Sequence, residues 1–521
     1  MADDDAQGPG SRQGRVPDRY RGLLTTWKQV TAYSWLRSRT GYGLTLRNVA
    51  MHFDLAVWVR RMPVVCALLW VLAIGGAFVF GIIRPAGVVG KSKIVADRSS
   101  YELYVNVNGR LHPVLNLTSA RLIVGTNQDP TGATHESIAK EPKGLPVGII
   151  GAPFAMSVTN GSGTSVAACQ RAAVNSVASR PVITVINGGV QIGGGRNAEL
   201  SPTEALVGSL GGQTFLVWNG VKSAFDPADR IVLSALGIDR VGAAAPMPLS
   251  GAVGNAIPSN LPLVVPSVPD AGTPSPWNLG GPATTIGSVV QSEVPGRGTQ
   301  FYVVLKAGVQ KISSTVAAML RSQNAYGLAT PPVVSPDAVA AVPQVTIIQA
   351  DQFPPVPVRV VDPTAKPVTC WLWEKGRTST TAVSRVVVGT ELPIAPAADN
   401  ALVPVGMPGK VRDGADFVWM APDAANYVAV TGNAATSDSR ETMWWLSPSG
   451  TRFGLSSDQQ QRESVGLGGD QLPMPASVLR LFPRGLPEHV ALTKDDAMVE
   501  HTSMPIDPYP GLLVPPSTDG K

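Results

Sequence analysis

The residues that come nearest to a chemical motif follow a long apolar run: Pro85-Ala-Gly-Val-Val-Gly-Lys-Ser ends, at Gly90-Lys91-Ser92, as a phosphate-binding loop does. Such a loop needs glycine at its first position and a buried strand before it, so that backbone N–H groups can cradle phosphate oxygens. Here Pro85 holds the first position, fixes φ and offers no N–H, and an apolar helix precedes it. The sequence argues against ATP hydrolysis at this loop, and an ATPase is kept only as a third reading.

Other chemistry is equally thin. Gly193-Gly194-Gly195 lacks the full dinucleotide fingerprint, and the five histidines, His52, His112, His135, His489 and His501, show no metal-ligand spacing. No Gly-x-Ser-x-Gly elbow occurs, and Glu102, Asp226 and Asp470 stand where caps and solvated faces explain them. The expectation is no catalytic residue, no cofactor and no metal.

Three cysteines remain: Cys66 inside the apolar run, and Cys169 and Cys370 far beyond it. Outside the cytoplasm the latter two are expected to pair; in a reducing compartment they would stay free buried thiols. A bridge closing about 200 residues stabilises by about 5 kcal/mol in the chain-entropy model, and by less if the unfolded chain is compact.

The element that sorts these residues into compartments is Val64 to Ile83, without a charge and long enough at about 1.5 Å per residue to cross a membrane. It begins too late and runs too long for a signal peptide. The first 63 residues hold ten Lys or Arg against five Asp or Glu, which points inside, but Arg60 and Arg61 before the run are matched by Arg84, Lys91 and Lys93 after it. The cysteines and the lack of a nucleotide motif place the C-terminal bulk outside. Gly75-Gly76 and Gly81 offer a small-residue face for helix packing.

With 54 Gly and 46 Pro among 521 residues and only 15% charged, the chain favours short strands and turns, and a net charge of +5 without basic runs gives no reason to expect nucleic acid. Residues 1–25 read as a disordered tail and 26–63 as cytoplasmic amphipathic helices, the second capped by Thr45 with Leu46, Val49, Ala50, Phe53 and Val57 on one face. Pro63 suits the first turn of the spanning helix, 64–83, and 84–100 is a linker.

Beyond it, four stretches share one order of signals: strand, glycine turn, strand, capped short helix. Their turns are at Gly109, Gly220, Gly308 and Gly450, and their caps at Asn116, Asp226, Ser313 and Ser456. The repeats are placed at 101–125, 213–242, 299–325 and 436–470. Their uneven spacing excludes a solenoid and suggests paired repeats with another domain inserted. A central β-sheet domain takes 126–212 and 340–435, with a strand pair at Pro181–Ile192, while 243–298 reads as a Pro/Gly-rich connector and 471–521 as an extended Pro-rich segment. The fold class is α+β.

Gly-Arg-Leu-His-Pro-Val-Leu-Asn-Leu-Thr-Ser-Ala-Arg-Leu-Ile from Gly109, Thr-Cys-Trp-Leu-Trp-Glu around Cys370, Trp444-Trp445 with Arg452-Phe453-Gly454, Val-Leu-Arg-Leu-Phe-Pro-Arg-Gly from Val478 and Asp-Ala-Met-Val-Glu-His from Asp496 together resemble the EccB family, a membrane component of type VII (ESX) secretion in mycobacteria and other actinobacteria. The resemblance implies a short cytoplasmic N-terminus, one spanning helix in the inner membrane, and a periplasmic part of four repeats around a central domain held by one disulfide. It also implies assembly with an FtsK-like ATPase, a multi-spanning subunit and a fourth membrane subunit. The leading expectation is a structural subunit whose outer domains self-associate. A peptidoglycan-binding module is the alternative, for which Tyr101, Tyr104, Trp218 and Tyr302 would supply an aromatic row.

Overall fold

The computed structural model describes residues 27–47, 55–83, 87–172, 180–238, 246–280, 284–405, 414–437 and 442–502. The N-terminal tail, much of the second amphipathic helix, Arg84 and the end of the C-terminal segment lie outside them. The chain divides into two compact units at Val88/Val89.

In the first unit, helix α1 (Trp27–Leu46) passes through Gly41 and Gly43 without a break. Thr45 is thus no helix cap: it lies in the last turn, its Oγ1 donating to the Gly41 carbonyl at 2.8 Å, a bond that lets threonine sit inside a helix. Helix α2 (Leu55–Ile83) contains Pro63, so the apolar helix starts eight residues before the expected first turn. Its 29 residues reach about 43 Å at 1.5 Å each. It is the one helix among the described residues long and apolar enough to cross a membrane, and its window Arg61–Val79 buries nothing within the chain.

The second unit opens with an antiparallel meander, β1 (Ile94–Asp97), β2 (Leu103–Val107) and β3 (Arg110–Val114). Helix α3 (Leu117–Val124) follows, β4 (Thr131–Ala133) returns parallel to β1, and α4 (His135–Ala139) leads to a stretch that bridges Lys143 to Leu111. Strands β5 (Gly163–Arg171), β6 (Val182–Asn187) and β7 (Asn197–Glu199) come next.

The first motif then recurs. β8 (Glu204–Leu210), β9 (Gln213–Trp218), β10 (Val221–Ala224), α5 (Arg230–Leu236), β11 (Met247–Pro248) and α6 (Gly251–Gly254) have the same order, with Ser259 bridging Lys222. So do β12 (Val289–Val294), β13 (Gly298–Leu305), β14 (Gly308–Ile312), α7 (Ser314–Gln323) and α8 (Pro336–Ala340), with Val333 bridging Gln291 and Gln344 bridging Val309. β15 (Arg359–Val360) joins β8, and β16 (Val368–Gly376), β17 (Val383–Gly389), β18 (Val403–Pro404) and β19 (Phe417–Met420) follow. The motif appears last as β20 (Tyr427–Thr431), β21 (Met443–Leu446), β22 (Arg452–Gly454), α9 (Gln459–Ser464), β23 (Leu472–Pro475) and α10 (Ala476–Leu479), with Arg484 bridging Arg452. Helix α11 (Lys494–Ala497) then packs on α3.

Each motif is longer than a hairpin and a helix. A strand precedes the hairpin, a parallel strand and a second short helix follow, and a proline closes it. The carbonyls of Pro142, Pro258, Pro343 and Pro483 accept the N–H groups of Leu111, Lys222, Val309 and Arg452 at 2.8–2.9 Å. Proline suits this edge because the bond uses only its carbonyl. The expected connector at 243–298 is therefore mostly folded: it completes the second motif, starts the third at β12, and through Trp277 and Leu279 covers a face of the third sheet. Likewise 472–484 completes the fourth motif instead of running free, and 190–192 forms no strand.

Two helix caps also move. Asp226 caps a turn, its Oδ1 accepting the Ala228 N–H, and its carbonyl accepts the N–H of Asp229, the true cap, whose Oδ1 accepts from Ile231 and Val232. Ser456 likewise stands before the cap: its Oγ accepts the N–H of Asp458, which caps α9. Asn116 and Ser313 cap α3 and α7 directly.

The order motif, strand pair, motif occurs twice, around β5–β6 and around β16–β17. β5 and β16 are antiparallel neighbours inside the sheet β18-β19-β6-β5-β16-β17-β7. The first and fourth motifs share one core, including Leu122, Tyr427 and Trp445; the second and third share another, where α5 packs on α7. One face of the central sheet, with Val166, Ala168, Trp371 and Trp373, packs on the second and fourth motifs. Alternation puts Cys169, Cys370, Leu372 and Val387 on the other face.

Candidate functional site

Gly90-Lys91-Ser92 is a turn, with Gly90 at φ 54° and the Ser92 N–H bonded to the Val89 carbonyl at 3.3 Å. Val89 is buried, its N–H held by Ser137 Oγ, and Lys91 is exposed. The chain leaves this turn as strand β1. Because a strand and not a helix follows Lys91, the turn lacks the succeeding helix N-terminus that directs amides at phosphate in such a loop.

Cys169 and Cys370 face each other in the register of β5 and β16 and form a disulfide, with Cα atoms 4.0 Å apart. Both are fully buried, where the two halves of the chain meet. Cys66 is free and exposed on α2. Of the arginines expected at a membrane interface, Arg60 and Arg61 lie within α2, and Arg61 is exposed.

The glycine positions separate by task. Gly109 turns the first hairpin at φ 78° with open space around it. Gly220 and Gly450, at φ 74° and 76°, touch the central sheet: an added Cβ would lie 2.6 Å from the Ser384 carbonyl oxygen of β17 or 2.4 Å from Val418 of β19. Gly308 is not in the turn, which Lys306 and Ala307 make; it opens β14, where a Cβ would lie 2.0 Å from the Pro343 carbonyl oxygen.

Aromatic residues also change places. Tyr101 stands before β2 at φ 60° and is 82% exposed, and Trp218 pairs with Val221 beside the turn. The positions that correspond across the motifs are Tyr104, Phe215, Tyr302 and Trp444, opposite Pro113, Ala224, Lys311 and Gly454. Tyr104 is buried and the rest are half-buried. Burial and the bond its hydroxyl donates to Glu102 push the Tyr104 phenol up to about 12.

Cations lie over three of these rings: Lys143 over Tyr104, Lys222 over Phe215, and both Arg452 and Arg484 over Trp444. Lys222 Nζ donates to the carbonyl of Gly254, which ends α6, and Arg452 Nη1 donates at 3.2 Å to that of Leu479, which ends α10. Each cation thus completes a short helix at its negative end. Sequence reasoning passed over these residues because the ring, the cation and the helix end are far apart in the chain.

Elsewhere, buried Asp97 accepts from the Ser99 N–H and hydroxyl and from His135 Nδ1 at 2.7–2.8 Å, which holds its carboxyl well below the usual range. Its task is the turn into β2. Among the described residues no group of three or more His, Cys, Asp or Glu gathers as metal ligands.

Among the described residues these features define one long apolar helix and a disulfide-bridged body in which similar small sheets pack in pairs on a central one. The family model described as type VII secretion system ESX-1, transport TM domain B, matches residues 23–506, and the chain belongs to this EccB family. The ESX-2 secretion system ATPase EccB2 of Mycobacterium tuberculosis is 40% identical over 457 residues, 86% of this chain and 90% of its own length. A chain in the structure of an intact ESX-5 inner membrane complex matches with a TM-score of 0.73 and 34% identity, covering 97% of this chain and all (100%) of that one. A chain of the EccB3 dimer from the ESX-3 core complex matches with a TM-score of 0.68 and 33% identity, covering 78% of this chain and 100% of that one.

Proposed function

We propose that the chain is a structural subunit of an inner-membrane type VII secretion complex. It spans the membrane once through α2, keeps α1 in the cytoplasm and presents four repeats in the periplasm, where they self-associate. The observation that carries this reading is the likeness, over 97% of the chain, to a chain of an intact inner membrane complex. The apolar helix supports an anchor. A disulfide supports an oxidising compartment for the body that holds it.

Transport energy then comes from a partner ATPase, and a multi-spanning subunit and a fourth membrane subunit complete the assembly. The relatives' name of ATPase is not carried over, because the turn at Lys91 runs into a strand. The glycan-binding alternative loses ground on one point: three of its four proposed aromatics, Tyr104, Trp218 and Tyr302, are buried or half-buried, and only Tyr101 stands free.

Purification of the tagged full-length chain from its host in mild detergent tests the reading. The expected result is co-migration with membrane partners well above the monomer; a monomer without partners overturns it. Lys91→Ala is expected to leave secretion and complex-associated ATP hydrolysis unchanged, and a loss of hydrolysis would reinstate the ATPase.

A further inference from the structure

The fourth motif carries a second cation that its fold does not need. In the second motif, Lys222 over Phe215 serves the end of α6, and the residue bridged to it is Ser259. In the fourth, Arg452 serves the end of α10 in the same way, yet the bridged residue is Arg484. Two guanidiniums therefore stand opposite each other, their Cζ atoms 5.0 and 5.6 Å from the centre of the Trp444 ring. Like charges placed directly across a strand pair repel, and the ring face offsets only part of that cost.

Their counter-charge is sparse. Among the described residues Arg452 has no carboxylate partner, and its Nε is sealed from water without an acceptor. Arg484 reaches Glu488 at 3.3 Å, but that side chain is 92% exposed and on the rim. Burial together with the charge of Arg484 brings Arg452 down to about 10, so Arg452 stays charged at neutral pH. Trp444 is held in place by its N–H bond to Thr442 Oγ1 at 3.0 Å. Beside the pair opens a cavity of about 200 Å³, walled by Met443, Leu455, Leu486 and Val490.

We propose that this cleft receives an acidic segment of a partner protein, one carboxylate seated between Arg452 and Arg484 over Trp444 and a neighbouring apolar side chain in the cavity. Guanidinium forks match a carboxylate, and Glu488 on Arg484 shows that such a group is accepted there. The cavity has room for one side chain and apolar walls to hold it, which favours a peptide over a free oxyanion. This inference rests on the chain being a subunit of a complex.

The test places a photoreactive residue at Glu488 of the full-length chain in its native membranes, which also removes the chain's own carboxylate. The expected product is a crosslink to a segment of another protein within a few residues of Asp or Glu. Its yield should fall about tenfold with Arg484→Gln, and reversing the partner's acid to Arg together with Arg484→Glu should restore it. Arg484→Gln leaves the Arg452 bond to α10 in place, and the size of the detergent-extracted complex reports folding separately. An intact complex that gives no crosslink, a crosslink only to lipid, or a yield indifferent to Arg484→Gln overturns the cleft alone. Failure of the unmodified chain to enter any complex overturns both this and the scaffold reading.

Discussion

The second and fourth motifs occupy corresponding places in the two halves of the chain, and they differ in what one strand position is used for. Both lie on the Trp371 and Trp373 face of the central sheet, both touch that sheet with a turn glycine, and both set a cation at the end of a short helix. In the second motif the cation is buried, bonded and unopposed, which suffices for structure. In the fourth a like charge opposes it beside a cavity. The same scaffold thus carries in one motif a single cation that ties down a short helix, and in the other that cation together with a like charge facing it.

The largest test of this pairing is covalent. The second and third motifs lie between Cys169 and Cys370, so replacing both cysteines with serine should cost about 2–5 kcal/mol and lower the melting temperature. Hydrogen exchange should speed most in the second and third motifs; equal loss in all four would mean that the halves are held together by packing alone.

Next come the turn glycines. Gly220→Ala and Gly450→Ala meet both a strained φ and the central sheet, and should destabilise by about 1–3 kcal/mol in chemical denaturation. Gly109→Ala, in open space, meets only the φ penalty of about 1 kcal/mol. Equal effects would break the distinction between docked and free motifs.

Smaller effects separate the two cations. Burial holds the Lys222 ammonium below the ordinary lysine value, so protonation is harder in the fold than in the unfolded chain. Wild-type stability should therefore rise as pH climbs from the folded value through the ordinary lysine range, and Lys222→Met should lack that rise and destabilise by about 1 kcal/mol at pH 7, because the Gly254 carbonyl loses its donor. Arg484→Gln should stabilise the chain by about 0.2–1 kcal/mol by removing the opposed charge, read as a shift of denaturation midpoint. Destabilisation instead would assign Arg484 a structural role.

Local signals were legible in the sequence where one residue type has one answer. Asn108-Gly109 and Asn219-Gly220 turn at positive φ, and Asn116 and Ser313 cap their helices. Asp226 and Ser456 misled because Asp and Ser make turns as readily as caps, and a better cap stood two or three residues on. The closing prolines were visible as Pro142-x-x-Leu145, Pro258-x-x-Leu261 and Pro483-x-x-Leu486, but the bridge each makes is one pair of backbone bonds without strand periodicity. The doubled arginine site was illegible, since Trp444, Arg452 and Arg484 meet only after β22 lies beside the stretch that follows α10.

The bridge between β5 and β16 also has a mechanical meaning. When tension acts between the α2 end of the chain and its last repeat, the load passes from Cys169 to Cys370 through sulfur, and the backbone between them carries none. The bonded residues are 201 positions apart, so unravelling of the oxidised chain is shorter by about 700 Å at about 3.5 Å per residue. Under load the first and fourth motifs act as the yielding ends, and the second and third ride unstretched inside the loop.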